Sequence, residues 1–165
     1  MAININNLVK VRADNPPRLL FYGDAGIGKT TLASEFPDAI FLQVEDGTPD
    51  GVELSSFGLL SAFGDVMDAI NTIYEQNIPF RTLVLDSVTA MQRLVFAETC
   101  ARGDEHGKAK ENIEDFGYGK GYVYAQRIWQ ELLDALMDLR RDLGMTIILI
   151  AHSKVSKFDD PENAS

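Results

Sequence analysis

The amino-acid sequence predicts an α/β fold: a mostly parallel sheet flanked by helices on both faces. Three observations predict it. Four short apolar runs are continuous rather than alternating, as strands covered on both faces are. Amphipathic stretches separate them, giving the strand–helix alternation of crossover-connected sheets. With 165 residues, 45% of them hydrophobic, the chain holds enough apolar side chain for one domain's core without disulfide or metal support.

In chain order, the first strand is Arg18–Tyr22 (RLLFY), followed by a helix over Lys29–Phe36. Ala39–Val44 is the second strand, and Glu45–Gly58 reads as a long loop. A helix over Asp65–Gln76 precedes the strand Thr82–Leu85, and Val88–Arg102 is the next helix. Gly103–Gly117, with mixed charges and glycines, reads as a second long loop. From about Gly121 to Leu143, the residues Ile128, Leu132, Leu136, Leu139 and Leu143 recur every three or four positions with charges between them. That is one apolar stripe and one solvated face, closed by Gly144. The strand Thr146–Ile150 follows. The expected organisation is a single domain over 1–165, with an N-terminal extension at 1–15 and a mobile loop or tail at 153–165.

Composition narrows the function. Fifteen basic against 25 acidic residues give a net charge of −10, so the chain as a whole repels polyanions. Contact with nucleic acid would need a local patch or an assembly. Cys100 is the only cysteine, which excludes an internal disulfide or a thiolate cluster and fits a reducing cytoplasm. The start carries no export signal pattern, and the longest apolar run, Met145–Ala151, is far shorter than the ~20 residues of a membrane span. A soluble cytoplasmic protein without membrane association is expected.

The strongest local signal is Gly23-Asp24-Ala25-Gly26-Ile27-Gly28-Lys29-Thr30, which fits GxxxxGK[ST], the P-loop pattern. It follows an apolar strand and opens a helix that continues with Thr31, as the pattern requires. Glycines let the backbone curl so that successive N–H groups point at phosphate oxygens. Lys29 would reach the β- and γ-phosphates, and the Thr30 hydroxyl would ligate Mg²⁺. Thr82-Leu83-Val84-Leu85-Asp86 is an apolar strand ending in aspartate, the Walker B arrangement that holds the metal's shell. ATP and Mg²⁺ are therefore the expected ligands, with Thr30 and Asp86 on the metal.

Ser87 follows Asp86, where many AAA+ ATPases carry a catalytic glutamate. The base is therefore expected elsewhere. Glu45 closes the neighbouring strand, and in a parallel sheet the carboxyl ends of strands share one crevice, so Glu45 is the candidate that would orient and deprotonate water. Asp46 is the alternative.

GKTTLA, the glutamate after the second strand and Leu85-Asp86-Ser87-Val88-Thr89-Ala90 resemble the ATPase core of RecA-type recombinases. More closely, PPRLLFYGDAGIGKTTLA, FLQVEDG, IEDFGYGKGY and IILIAHSK resemble phage-encoded, RecA-like AAA-family nucleotide-binding proteins of single-strand annealing and recombination. The P-loop is generic; the other three strings are more specific. The resemblance implies a RecA-like P-loop core, ATP hydrolysis in the host cytoplasm, homo-oligomer formation and recombination or replication proteins as partners. It also implies a γ-phosphate sensor at His152, where RecA-type ATPases usually carry glutamine; a plain surface histidine is the alternative. After that sensor the family has a loop touching single-stranded DNA. Lys154, Lys157 and Phe158 suit such contact, while Asp159, Asp160 and Glu162 oppose it, and a solvated tail is the alternative. The resemblance also implies further sheet strands past this loop, whereas the sequence here stops at Ser165.

Phe116-Gly117-Tyr118-Gly119-Lys120-Gly121-Tyr122 lacks the GK[ST] ending and reads as loop-to-helix packing or as a contact to DNA or a neighbouring nucleotide. Arg81, Arg93, Arg102, Arg127, Arg140 and Arg141 are scattered, which counts against a small-molecule kinase with an arginine-bearing lid. A nucleotide-binding interaction module with little turnover is the remaining rival.

Overall fold

The structure is a computed structural model that describes Val9, residues 15–76 and residues 79–154. Most of the N-terminal extension, Lys157 and Phe158 lie outside the described residues.

Five strands form one parallel sheet: β1 (Arg18–Gly23), β2 (Ala39–Gln43), β3 (Ser55–Leu59), β4 (Thr82–Asp86) and β5 (Thr146–His152), in the order β1-β5-β4-β2-β3. β4 is central, and all five of its residues are buried. This is why TLVLD reads as a continuous apolar run: alternate side chains leave opposite faces, and both faces are covered.

The two faces are covered unequally. On one, Ile40, Leu42, Leu83, Leu85 and Ile147 join a core with α2 (Phe63–Gln76), α3 (Val88–Arg102) and α4 (Lys120–Asp142). Leu132, Leu136 and Leu139 of α4 have no exposed surface, and burying each contributes about 1.5–3 kcal/mol. On the other face Phe41, Val84, Ile148 and Ile150 pack against Ala33 of α1 (Lys29–Ser34) and against Phe36. Helices cover both faces as expected, three against one.

The segment read as a loop, Glu45–Gly58, runs into β3, which pairs with β2 at the sheet edge. Ser55-Ser56-Phe57-Gly58-Leu59 carries two serines and a glycine, and its side chains are mostly exposed, so no apolar run marks it. The other long loop holds a short 3-10 helix, Ile113–Phe116, capped by Asn112. Gly121 packs against the Ile113 carbonyl, where no larger residue fits. The glycine-rich segment thus packs loop against helix, while Tyr118 and Lys120 stay exposed.

Because every strand is parallel, their carboxyl ends share one edge. Gly23 pairs with His152, Gln43 with Asp86, and Asp86 with Ile150. This register gathers chain positions more than a hundred residues apart. β5 runs through His152 itself, two residues past the expected strand end.

Candidate functional site

At this edge lies a cavity of about 470 Å³, within the usual range for small-molecule sites. It is lined by the P-loop residues Ala25, Gly26, Gly28, Lys29, Thr30 and Thr31, and by Glu45, Asp86 and His152 from the other strand ends. No arginine of the described residues lines it. Gly23, Asp24 and Ile27 complete the loop outside that lining. Gly26 and Gly28 have φ of 78° and 90°, left-handed values that L side chains rarely adopt. A Cβ on either would meet no atom beyond its chain neighbours within 4 Å, so conformation and not packing calls for glycine there.

Lys29 is buried. Its ammonium donates to the Gly23 carbonyl at 2.9 Å and the Asp24 carbonyl at 2.7 Å, and lies 3.3 Å from His152 Nδ1. The lysine thus braces its own loop, a contact that spacing alone does not reveal. Thr30 Oγ1 donates to Asp86 Oδ2 at 2.7 Å, joining the loop to the end of β4. Burial pushes Asp86 above the ordinary aspartate value; the Thr30 hydrogen bond opposes this and the charge of Glu45 adds to it.

Glu45 and His152 meet at 2.8 Å, Oε1 to Nε2, both half-buried. Burial pushes Glu45 up, but the hydrogen bond from Ser87 and the adjacent His152 outweigh it and hold the carboxyl below its ordinary value. Asp46, the alternative base, is exposed. A lysine ammonium only donates, so His152 Nδ1 accepts from Lys29 and Nε2–H donates to Glu45; the two partners select this tautomer.

Three supporting residues carry no motif. Ser87, fully buried, accepts from the Ala90 N–H as the N-cap of α3 and helps to lower the Glu45 value. The Thr89 hydroxyl accepts from the His152 N–H at 2.9 Å. Ser153 donates its hydroxyl to the Asp24 carboxylate and its N–H to the Gly23 carbonyl, tying the exit of β5 to the phosphate loop. The signal that could find them is the family-like strings, Leu85–Ala90 and IILIAHSK, which contain all three. Of the candidate nucleic-acid residues only Lys154 is described, exposed just after Ser153. His106 is exposed beside Glu105 and far along the chain from this edge.

These residues fit a Mg²⁺–triphosphate. A left-handed glycine loop, a buried lysine and a hydroxyl–carboxylate pair converge on one cavity with oxygen donors, the ligand type Mg²⁺ takes.

Residues 15–165 match the family model described as AAA domain. The chain belongs to the AAA domain family. Its fold is accordingly an α/β RecA-like P-loop NTPase core, and the family is one of AAA-type P-loop ATPases. No curated protein matches the chain. No helix of this AAA domain, among the described residues, is long and apolar enough to cross a membrane.

Proposed function

We propose that the chain binds ATP with Mg²⁺ through residues 23–31 and Asp86, hydrolyses it, and couples this to single-stranded DNA in phage recombination or annealing. The observation that carries the reading is the linked set Lys29–His152–Glu45 and Thr30–Asp86, drawn from four segments onto one cavity.

Each side chain then has a task. Lys29 neutralises phosphate charge. Thr30 and Asp86 would hold Mg²⁺, which would supply further neutralisation of phosphate charge. Glu45, kept ionised by Ser87 and His152, orients water and takes its proton. His152 holds Glu45 in place and senses the γ-phosphate from the end of β5.

The DNA reading is supported by the resemblance of the four strings and by position. Ser153 links the phosphate loop to the β5 exit, and Lys154 follows it in the open. With a net charge of −10, contact by one copy would be weak. A head-to-tail homo-oligomer in the host cytoplasm, acting with recombination or replication proteins, would repeat the 153–165 segment along one strand and gain by avidity.

Phosphate release with and without a single-stranded oligonucleotide tests the reading. Turnover that DNA stimulates supports it, turnover indifferent to DNA removes the coupling, and no turnover leaves an interaction module.

A further inference from the structure

His152 stands where glutamine is usual in the proteins this chain resembles, and imidazole does what an amide does not: it binds borderline metal ions well. Its surroundings make that difference consequential. One ligand atom each from Glu45, Asp86 and His152 lies within 4.8 Å of the other two. Asp86 and His152 end β4 and β5, where the sheet register sets their spacing, and Glu45 lies two residues past β2, after a Val44 N–H that donates to the Asp86 carbonyl at 2.9 Å.

We infer that Glu45, Asp86 and His152 form a site for a borderline divalent cation of the Zn²⁺ class, open in the nucleotide-free chain and closed by ATP–Mg²⁺. Zn²⁺ with three protein ligands and one open position is an established arrangement, at about 2.0–2.2 Å to nitrogen and oxygen. Asp86 also has an outer partner that fixes its orientation, the Thr30 hydroxyl. Mg²⁺, which prefers oxygen and retains its waters, gains little from the imidazole.

Exclusion follows from shared atoms. The cation would take the carboxylate that Mg²⁺ needs, the base that water needs and the sensor together. This exclusion rests on the proposed nucleotide reading; the cation site rests on the three side chains alone. Lys29 enters with a definite sign. A cation on His152 Nε2 leaves the hydrogen on Nδ1, which then faces a lysine ammonium that only donates. Zn²⁺ must therefore push Lys29 away from the ring, and removing the ammonium favours the cation.

Calorimetric titration of ZnCl₂ into the nucleotide-free full chain, in a non-chelating buffer, tests the site. One Zn²⁺ per chain is expected, weakened at least ~10-fold by His152→Gln and by Glu45→Gln, each checked for folding by circular dichroism. Lys29→Met should tighten it, His106→Ala should leave it unchanged, and MgCl₂ should show no dependence on His152. Affinity unchanged in both His152→Gln and Glu45→Gln, or no Zn²⁺ bound, overturns the site. A further titration in excess ATP–Mg²⁺ should show Zn²⁺ binding suppressed. Zn²⁺ binding that persists there refutes the exclusion, and with it the shared position, while loss of ATP binding alone leaves the nucleotide-free result standing.

Discussion

Glu45 and His152, 107 residues apart in the chain, are joined by a 2.8 Å hydrogen bond at the carboxyl edge of the sheet. His152 in turn lies 3.3 Å from the ammonium of Lys29. The residue proposed to activate water and the residue proposed to hold phosphate are thus connected through one imidazole. Any shift of His152 changes both, and its backbone N–H is itself pinned by Thr89.

Removing the Ser87 hydroxyl should expose its hold on Glu45. The hydrogen bond lowers the Glu45 value, so Ser87→Ala raises it. A general base works as the carboxylate, and the acid limb of the kcat–pH profile should therefore move to higher pH, with kcat near its parent value on the alkaline plateau. An unmoved limb would separate Ser87 from the base. Loss of the α3 N-cap should also cost about 1 kcal/mol of stability.

Asp86→Asn should stabilise the nucleotide-free chain at neutral pH and abolish its Mg²⁺-dependent function. Burial raises the folded-state value of Asp86, so the stability it contributes is full below its unfolded value and is lost as pH rises through the folded one. Asparagine carries no charge to bury and keeps an oxygen for Thr30. Thermal melts across pH should show a higher Tm at pH 7 and a flatter decline from acid to neutral, while ATP–Mg²⁺ binding weakens more than ~10-fold. A lower Tm at pH 7 contradicts the burial argument.

Lys29→Ala should fold but bind ATP poorly. The variant also loses the donor to the Gly23 and Asp24 carbonyls, so it should be less stable by about 1 kcal/mol per lost hydrogen bond. Nucleotide affinity equal to the parent's in a folded variant would refute the phosphate role.

Much of this site is legible in the sequence, for a physical reason. Phosphate binding needs glycines at left-handed positions beside lysine and threonine, and a parallel sheet needs continuous apolar runs whose last residues meet. Those constraints place Gly26, Gly28, Lys29, Thr30, Asp86 and Glu45 on one edge, and the resemblance to RecA-type ATPases adds His152. Ser87 and Thr89 obey no such constraint, because a hydroxyl that orients a neighbour leaves no period or spacing. β3 escapes for the opposite reason: an edge strand with exposed side chains has little to bury, and SSFGL shows it. The bracing of the loop by Lys29 likewise depends on where two backbone carbonyls point.

DNA binding, if coupled to nucleotide as proposed, should be cooperative, salt-sensitive and dependent on a non-hydrolysable ATP analogue. Lys154→Ala with Lys157→Ala should weaken it and reduce its salt dependence. Titration of labelled single-stranded oligonucleotide at low salt reads this out; binding that ignores nucleotide or survives the double substitution removes the coupling.

The central claim is that Glu45 activates water for hydrolysis of ATP held by the loop. Its most direct test is phosphate release measured beside ATP–Mg²⁺ affinity in the parent chain and in Glu45→Gln. Affinity should stay about equal to the parent's and hydrolysis should be at least ~100-fold slower, the scale of a lost general base. Parent-like hydrolysis in Glu45→Gln, with the loss appearing in Asp46→Asn instead, would contradict it.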